Sequence, residues 1–370
     1  MISPQAECEI LAIAEAYLES EVRPNAAALD SEPEALRRAL HGLAERELLA
    51  LRRPEVWGGP ALSDLGVRTF QEAVARSSGA LAFLQTQHQS AAGMIAKSTN
   101  AELQAATLPK MANGERLIGI GFSQLRRSGP PLMQATPEPG GYRLQGHVPW
   151  VTGFGFFPEF LIGASLETGE SVLGLVPFVP ARSPDGGEIQ FSPPMRLAAM
   201  ESAQTVTADL TRWFLPHEAV VFVQPARWIQ LNDQINITLQ GWFAMGCTRG
   251  SLDILEEAAQ RKKNQAIGHA AESLLQEWEE LRHQLLQAQA GSEETTQERL
   301  ELRAWAIELC VRAAHAAIAA TGGSANSAGH PAQRLFREAL VYTVSAQTEP
   351  IQTATLDRLI QRQGPRISTL

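Results

Sequence analysis

Apolar positions along the first fifty residues recur at helical spacing. Ile10, Leu11, Ile13, Ala14, Tyr17 and Leu18 share one face of a stretch rich in Ala, Leu and Glu. A second helix is predicted over Glu32 to Arg46, with Leu36, Leu40 and Leu43 on one side. The run Arg53-Pro54-Glu55-Val56-Trp57-Gly58-Gly59-Pro60 breaks the pattern. Helical character resumes behind Ser63, a predicted N-cap ahead of Leu65-Gly66-Val67, and continues with interruptions to about Asn113.

The period then changes. Between Arg116 and Val223 short β-rich runs alternate with turns. The predicted strands are Leu117–Phe122, Tyr142–Thr152, Glu159–Leu166, Ser171–Phe178 and Thr205–Leu215. Pro137-Glu138-Pro139-Gly140-Gly141 reads as a turn, and Glu167-Thr168-Gly169-Glu170 as a hairpin loop. After Pro225 helical segments return near 227–264, 271–289, 293–321, 331–347 and 349–362. Ala290-Gly291-Ser292 is a predicted inter-helix loop, with Ser292 capping and Glu293 and Glu294 in the first turn. The pattern thus predicts an α+β multidomain chain with a helical part at 1–116, a β part at 117–224 and a helical part at 225–370.

Composition narrows the function classes. The chain has 370 residues, 44% hydrophobic and 19% charged, as in globular proteins that bury a sizeable core. The formal net charge is -9, and no basic run exceeds Arg261-Lys262-Lys263, which argues against nucleic-acid binding. The three cysteines, Cys8, Cys247 and Cys310, lack paired spacing and are expected to be buried in a protein of a reducing compartment, the cytoplasm. The first residues lack the basic and apolar regions of a signal peptide, and no apolar run approaches the ~18–20 residues that span a bilayer. No metal site is expected.

Several motifs, in order, resemble those of the acyl-CoA dehydrogenase superfamily. Pro54-Glu55-Val56-Trp57-Gly58-Gly59-Pro60 is similar to its "P-E-x-[YF]-G-G" loop. Leu108-Pro109-Lys110-Met111-Ala112-Asn113-Gly114-Glu115 is similar to "LP-x-[LM]-A-x-G-E". Gly140-Gly141-Tyr142-Arg143-Leu144-Gln145-Gly146 and Trp150-Val151-Thr152-Gly153 resemble "GGY-x-L-N-G" and "W-I-T-[NG]". Gly322-Gly323 and Pro331-Ala332-Gln333-Arg334-Leu335-Phe336-Arg337-Glu338 resemble "GG…P-x-[EQ]-R-x-x-R-[DE]". The resemblance implies an N-terminal helical domain, a central antiparallel β-barrel-like domain and a C-terminal four-helix bundle. It also implies a homodimer or homotetramer and FAD held between the β domain and the bundle, with subunits sharing the cofactor site. FMN or no flavin are the alternatives.

The resemblance carries roles to individual residues. Trp150 and Thr152 take the positions that face the flavin, the threonine at N5; the plain alternative is a core Trp and a surface Thr. Ser123, in Phe122-Ser123-Gln124-Leu125, stands where the family has a Thr donating to the pyrimidine end; otherwise it is a solvated strand-end Ser. The family continues "G-x-G-S-D", whereas this chain reads Arg126-Arg127-Ser128-Gly129, which puts an ordinary CoA thioester substrate in question. Gly322 and Gly323 take the positions that approach the adenosine of a neighbouring subunit's FAD, and a helix C-cap satisfies the same residues. Arg261 aligns with a pyrophosphate contact, but its run lacks the family's Phe and Gly, so an exposed helix Arg is the simpler reading.

The usual catalytic base is missing. Anchored on Thr348, Ile351 and Gln352, the family's Glu falls on Ala346; its alternative location falls near Asn236. Glu349 and Asp233 are the nearest carboxylates, and Glu349 is also a plain helix-start acid. His88 occupies a helix where monooxygenases of the superfamily place a His, and a structural His is the competing reading. The second monooxygenase His position here is Tyr342 or Ser345. The leading expectation is a flavin-dependent oxidoreductase acting on a CH–CH bond next to a carbonyl, in a small-molecule substrate such as an acyl thioester. A two-component flavin monooxygenase and a non-catalytic binding homologue are the alternatives.

Overall fold

The computed structural model describes residues 2–290 and 295–360. The chain divides into two compact units, residues 1–233 and 234–370.

The first unit opens with α1 (Pro4–Tyr17), whose N-terminus is capped by the Ser3 hydroxyl accepting from the Ala6 N–H. The second helix predicted over Glu32 to Arg46 forms as α3 (Pro33–Glu45), and a short helix outside the prediction, α2 (Ala26–Ser31), precedes it. Pro33 forces the residue before it out of the helical region, and Glu32 is extended. On α3, Leu36, Leu40 and Leu43 are buried, as their spacing predicts. Ser63 caps α4 (Asp64–Ser77), and α5 (Gly79–Ile95) and α6 (Ala101–Thr107) follow.

The strands are β1 (Ile118–Gly121), β2 (Met133–Glu138), β3 (Gly141–Val151), β4 (Glu159–Ser165), β5 (Ser171–Pro177), β6 (Ala181–Arg182), β7 (Glu188–Phe191), β8 (Val206–Pro216) and β9 (Val220–Gln224). They form one mostly antiparallel sheet in the order β6-β7-β8-β3-β2-β4-β5-β9, with β1 added in parallel on β4. The β4–β5 hairpin pairs Glu159 with Pro177 and Ser165 with Ser171 around the predicted loop. The predicted turn at 137–141 is shorter than expected. Pro137 and Glu138 belong to β2 and pair with Tyr142 and Gly141, leaving Pro139-Gly140 as a two-residue loop with Gly140 at φ 84. Strands β2, β6, β7 and β9 fall outside the predicted runs. Leu108, Met111, Ile118, Leu161 and Leu173 belong to one core cluster that includes residues of β1, β4 and β5.

Helix α7 (Trp228–Ile235) straddles the division. The second unit continues with α8 (Gly241–Lys262), α9 (Gln265–Ala290), α10 (Thr296–Thr321), α11 (Pro331–Val344) and α12 (Glu349–Ile360). Helices α8, α9, α11 and α12 all pack on α10. The single helix predicted over 227–264 is broken at 236–240, where the turn bonds Leu239 N–H to Asn236 O and Gly241 N–H to Thr238 O form. Asn236, Ile237 and Thr238 are poor helix formers in sequence, which explains the break. The predicted cap Ser292, with Glu293 and Glu294, lies outside the described residues. The cap seen is Thr295, whose hydroxyl accepts from Glu298 N–H at 3.2 Å while the Glu298 carboxylate accepts from Thr295 N–H. Cys247 and Cys310 are buried, but Cys8 is exposed, because it sits on the outer face of α1. Among the described residues no helix is long and apolar enough to cross a membrane.

Candidate active site

Two glycines let β1 lie close to the end of β3. A Cβ on Gly119 would sit 2.8 Å from the Phe157 ring and 3.5 Å from the Thr152 carbonyl oxygen; one on Gly121 would sit 2.8 Å from the Phe160 ring and 3.1 Å from Val151. The chain leaves β1 in a 3-10 turn, Ser123–Arg126, that packs on β3 and β4. Gln124 fastens this turn by donating to Gly163 O at 2.7 Å. The hydroxyl of Ser123 is buried and has no hydrogen-bond partner among the described residues.

Trp150 lies in a β-bulge of β3, where the register against β8 slips between Val148 and Val151. Its side chain is 48% exposed, although it is large and apolar. A bulge re-aims side chains at the rim of a sheet, and such rims often carry sites. Thr152 follows the strand, is buried, and shares a 3.0 Å hydrogen bond with the Thr205 hydroxyl. With Thr205 as donor, Thr152 keeps its own proton for another acceptor. Ser123, Trp150 and Thr152 therefore gather at one end of the sheet. Thr205 carried no sequence signal beyond its place ahead of β8.

His88 has a different environment. It is fully buried on α5. Its Nδ1 accepts from Ile118 N–H at 3.0 Å and its Nε2 lies 2.9 Å from Met111 O. The first bond requires a lone pair on Nδ1, so Nε2 carries the proton and donates to Met111. Burial, opposed by these two backbone bonds, pushes its pKa down to about 4. Both nitrogens are spent on backbone bonds, one tying α5 to β1 at Ile118 and the other to Met111 in the segment before it.

Asp233 is clasped by Arg126, with two contacts of 2.8 Å. The clasp joins α7 to the very turn where the sequence departs from the family pattern, and the guanidinium also lies 5.9 Å from the Phe122 ring centre. Sequence spacing did not pair these two residues.

In the second unit, Gly322 ends α10 at φ 85 and ψ −153, a region essentially reserved for glycine. A Cβ on Gly323 would meet nothing within 4 Å. The Thr321 hydroxyl is buried and without a partner among the described residues. Lys262, not Arg261, holds this helix end, donating to Ala320 O at 2.7 Å and Thr321 O at 3.0 Å. Arg261 is exposed and faces Glu257.

Ala346 sits in the four-residue link between α11 and α12, exposed and left-handed at φ 47. Thr348 is half-buried and its carbonyl accepts from Gln352 N–H at 2.9 Å, starting α12; Glu349 is exposed at the first position of that helix. Helix α11 separates this link from Gly322 and Gly323, which stand toward its other end. At 1.5 Å per residue, its fourteen residues span roughly 20 Å.

Comparison with known proteins was made on both sequence and fold. Residues 4–115 match the family described as acyl-CoA dehydrogenase, N-terminal domain, and residues 239–350 match acyl-CoA dehydrogenase, C-terminal domain. No curated protein matches the chain. The fold is similar to the glutaryl-coenzyme A dehydrogenase–glutaryl-CoA complex at TM-score 0.81 and 17% identity, over 98% of this chain and 97% of that one. Butyryl-CoA dehydrogenase from Megasphaera elsdenii gives TM-score 0.78 at 15% identity, over 98% and 100%. An acyl-CoA dehydrogenase complexed with FAD from Bacillus anthracis gives 0.79 at 18%, over 97% and 67%. At such identities the structures speak for the fold alone, while the two family matches span both units: this chain belongs to the acyl-CoA dehydrogenase family.

Proposed function

We propose that the protein is a flavin-binding oxidoreductase of the acyl-CoA dehydrogenase type that acts on a CH–CH bond next to a carbonyl, through a site lacking the usual carboxylate base. The observation that carries the reading is the buried, unpartnered hydroxyl of Ser123, in a turn that packs on β3, the strand that carries the exposed ring of Trp150. A buried donor left unmade costs about 1–3 kcal/mol, which a ligand acceptor offsets. The open backbone at Gly323 and the unpartnered Thr321 hydroxyl support the same reading.

FAD is the proposed cofactor, with FMN as the smaller alternative. When bound, it supplies a hydride acceptor for the β carbon. In the first unit Ser123 donates a hydrogen bond to the ring, Trp150 covers it and Thr152 offers its hydroxyl proton; donors of this kind favour the reduced, more negative ring. In the second unit Thr348 is a further contact, and Gly322 and Gly323 serve the cofactor of a neighbouring protomer in a homodimer or homotetramer. The substrate is a small molecule, an acyl thioester, and the location is cytoplasmic. Neither nucleic acid nor membrane is a partner.

The base is where the site is atypical. Ala346 has no acceptor, Asp233 is engaged by Arg126, and Glu349 is exposed at a helix start. The monooxygenase reading is weakened because both ring nitrogens of His88 are bound to backbone.

The test is the visible spectrum of the purified protein, before and after reconstitution with FAD, in the wild type and Ser123→Ala. Flavin absorbance in the wild type and at least tenfold weaker retention in the variant are expected. A colourless protein that no flavin reconstitutes overturns the reading in favour of a non-catalytic binding homologue.

A further inference from the structure

Arg303 lies on α10 at 0% exposure, among the largest fully buried side chains of the protein. Its Nη2 donates to Ser345 O at 3.1 Å and reaches Tyr342 O at 3.4 Å, both at the C-terminal end of α11. Its Nε and Nη1 have no hydrogen-bond partner among the described residues. Two carboxylates on the same two helices are committed elsewhere: Glu308 of α10 to Arg312, and Glu338 of α11 to Arg334. The end of α11 presents about half a negative charge, which compensates the guanidinium only in part. Buried charges are ordinarily paired, because leaving an ion dry and alone costs several kcal/mol. Burial pushes Arg303 down to about 9, the direction of a cation short of anionic company.

The Ser345 hydroxyl donates to Gln240 Oε1 at 3.3 Å, which ties the 345–348 link to the start of α8. Two residues further on, Trp242 is fully buried, and its Nε1 also lacks a partner among the described residues. The link whose Ser345 carbonyl accepts from Arg303 also carries the exposed, left-handed Ala346.

We propose that this end of the second unit is a binding site for a carboxylate, held by the Nε and Nη1 donors of Arg303. A guanidinium fits a carboxylate by charge, planarity and donor count. The site does not depend on the flavin reading, because every residue in it lies within residues 240–345 and none is a proposed flavin contact.

The experiment is thermal unfolding of the full chain against sodium acetate or formate, with chloride holding ionic strength constant. Parallel titrations use an acyl-CoA that ends in a carboxylate and its uncharged counterpart. A free carboxylate ligand gives a saturable rise in Tm of roughly 5 °C with acetate. A carboxylate borne by the substrate gives the rise only with the carboxyl-terminated acyl-CoA. Either response must weaken about tenfold in Arg303→Lys, which keeps the charge but not the planar fork, and vanish in Arg303→Met. No response beyond that to chloride, or an equal response in Arg303→Lys, overturns the proposal and leaves Arg303 as the C-terminal cap of α11. Arg303→Lys keeps the test decisive if Arg303→Met fails to fold.

Discussion

The Nδ1 atom of His88 accepts the backbone N–H of Ile118 at 3.0 Å, and this bond joins the longest helix of the N-terminal part to the first strand of the sheet. It exists only while the imidazole is neutral. The folded pKa of about 4 lies below the unfolded value of 6.5, so its stabilisation is complete above pH 6.5 and is lost as pH falls toward 4. The loss is on the order of 3 kcal/mol. Urea unfolding at pH 7.0, 5.5 and 4.5 measures it. His88→Gln is expected to be less stable at pH 7 by about 1–3 kcal/mol and to show a flatter slope over this window.

Asp233 is expected to be a structural partner. Asp233→Asn removes one charge from a half-buried clasp and lowers stability by about 1 kcal/mol. Flavin reduction by substrate should change less than threefold. A drop of a hundredfold or more would identify Asp233 as the base.

The two glycines after α10 separate backbone strain from ligand approach. Gly322→Ala forces a side chain into φ 85, ψ −153 and should cost about 1–3 kcal/mol. Gly323→Ala points into open space and should leave stability within ~0.5 kcal/mol. If Gly323 approaches a cofactor, the same variant lowers flavin affinity at unchanged Tm. Equal flavin affinity would return both glycines to a capping role.

What the sequence made legible followed from periodicity. The faces of α3, the Ser63 cap and the β4–β5 hairpin each rest on local spacing with one physical solution. The misses share a different cause. The Asn236-Ile237-Thr238 run cuts a helix inside a continuous apolar pattern, where propensity outweighs period. Of two adjacent basic residues, spacing alone does not say that Lys262 reaches the last carbonyls of α10 while Arg261 faces Glu257. The Arg126–Asp233 clasp spans more than a hundred residues, and Arg303 sits in an alanine-rich helix like any surface cation. Such partners are fixed by tertiary packing, so no local pattern announces them.

Ala346 links backbone strain to the proposed lack of a base. A left-handed L-residue costs ~1–2 kcal/mol, so Ala346→Gly should stabilise the protein by about 0.5–1 kcal/mol once the extra freedom of the unfolded chain is counted. Ala346→Glu keeps the strain and adds a carboxylate at the position proposed to match the family's Glu. A positioned general base contributes ~10²–10⁴-fold, and without one, hydride loss from the β carbon builds positive charge that no proton removal relieves. The wild type should therefore reduce flavin very slowly with ordinary saturated acyl-CoAs. Stopped-flow reduction with an acyl-CoA panel compares wild type, Ala346→Glu and Glu349→Gln. A gain of two orders of magnitude in Ala346→Glu places the defect in one side chain. Rapid wild-type reduction that survives both Glu349→Gln and Asp233→Asn shows that the base lies elsewhere. No gain with flavin bound directs attention to the Arg126–Gly129 segment, whose clasp on Asp233 replaces the family's glycine-rich loop, and to a substrate other than a plain acyl-CoA.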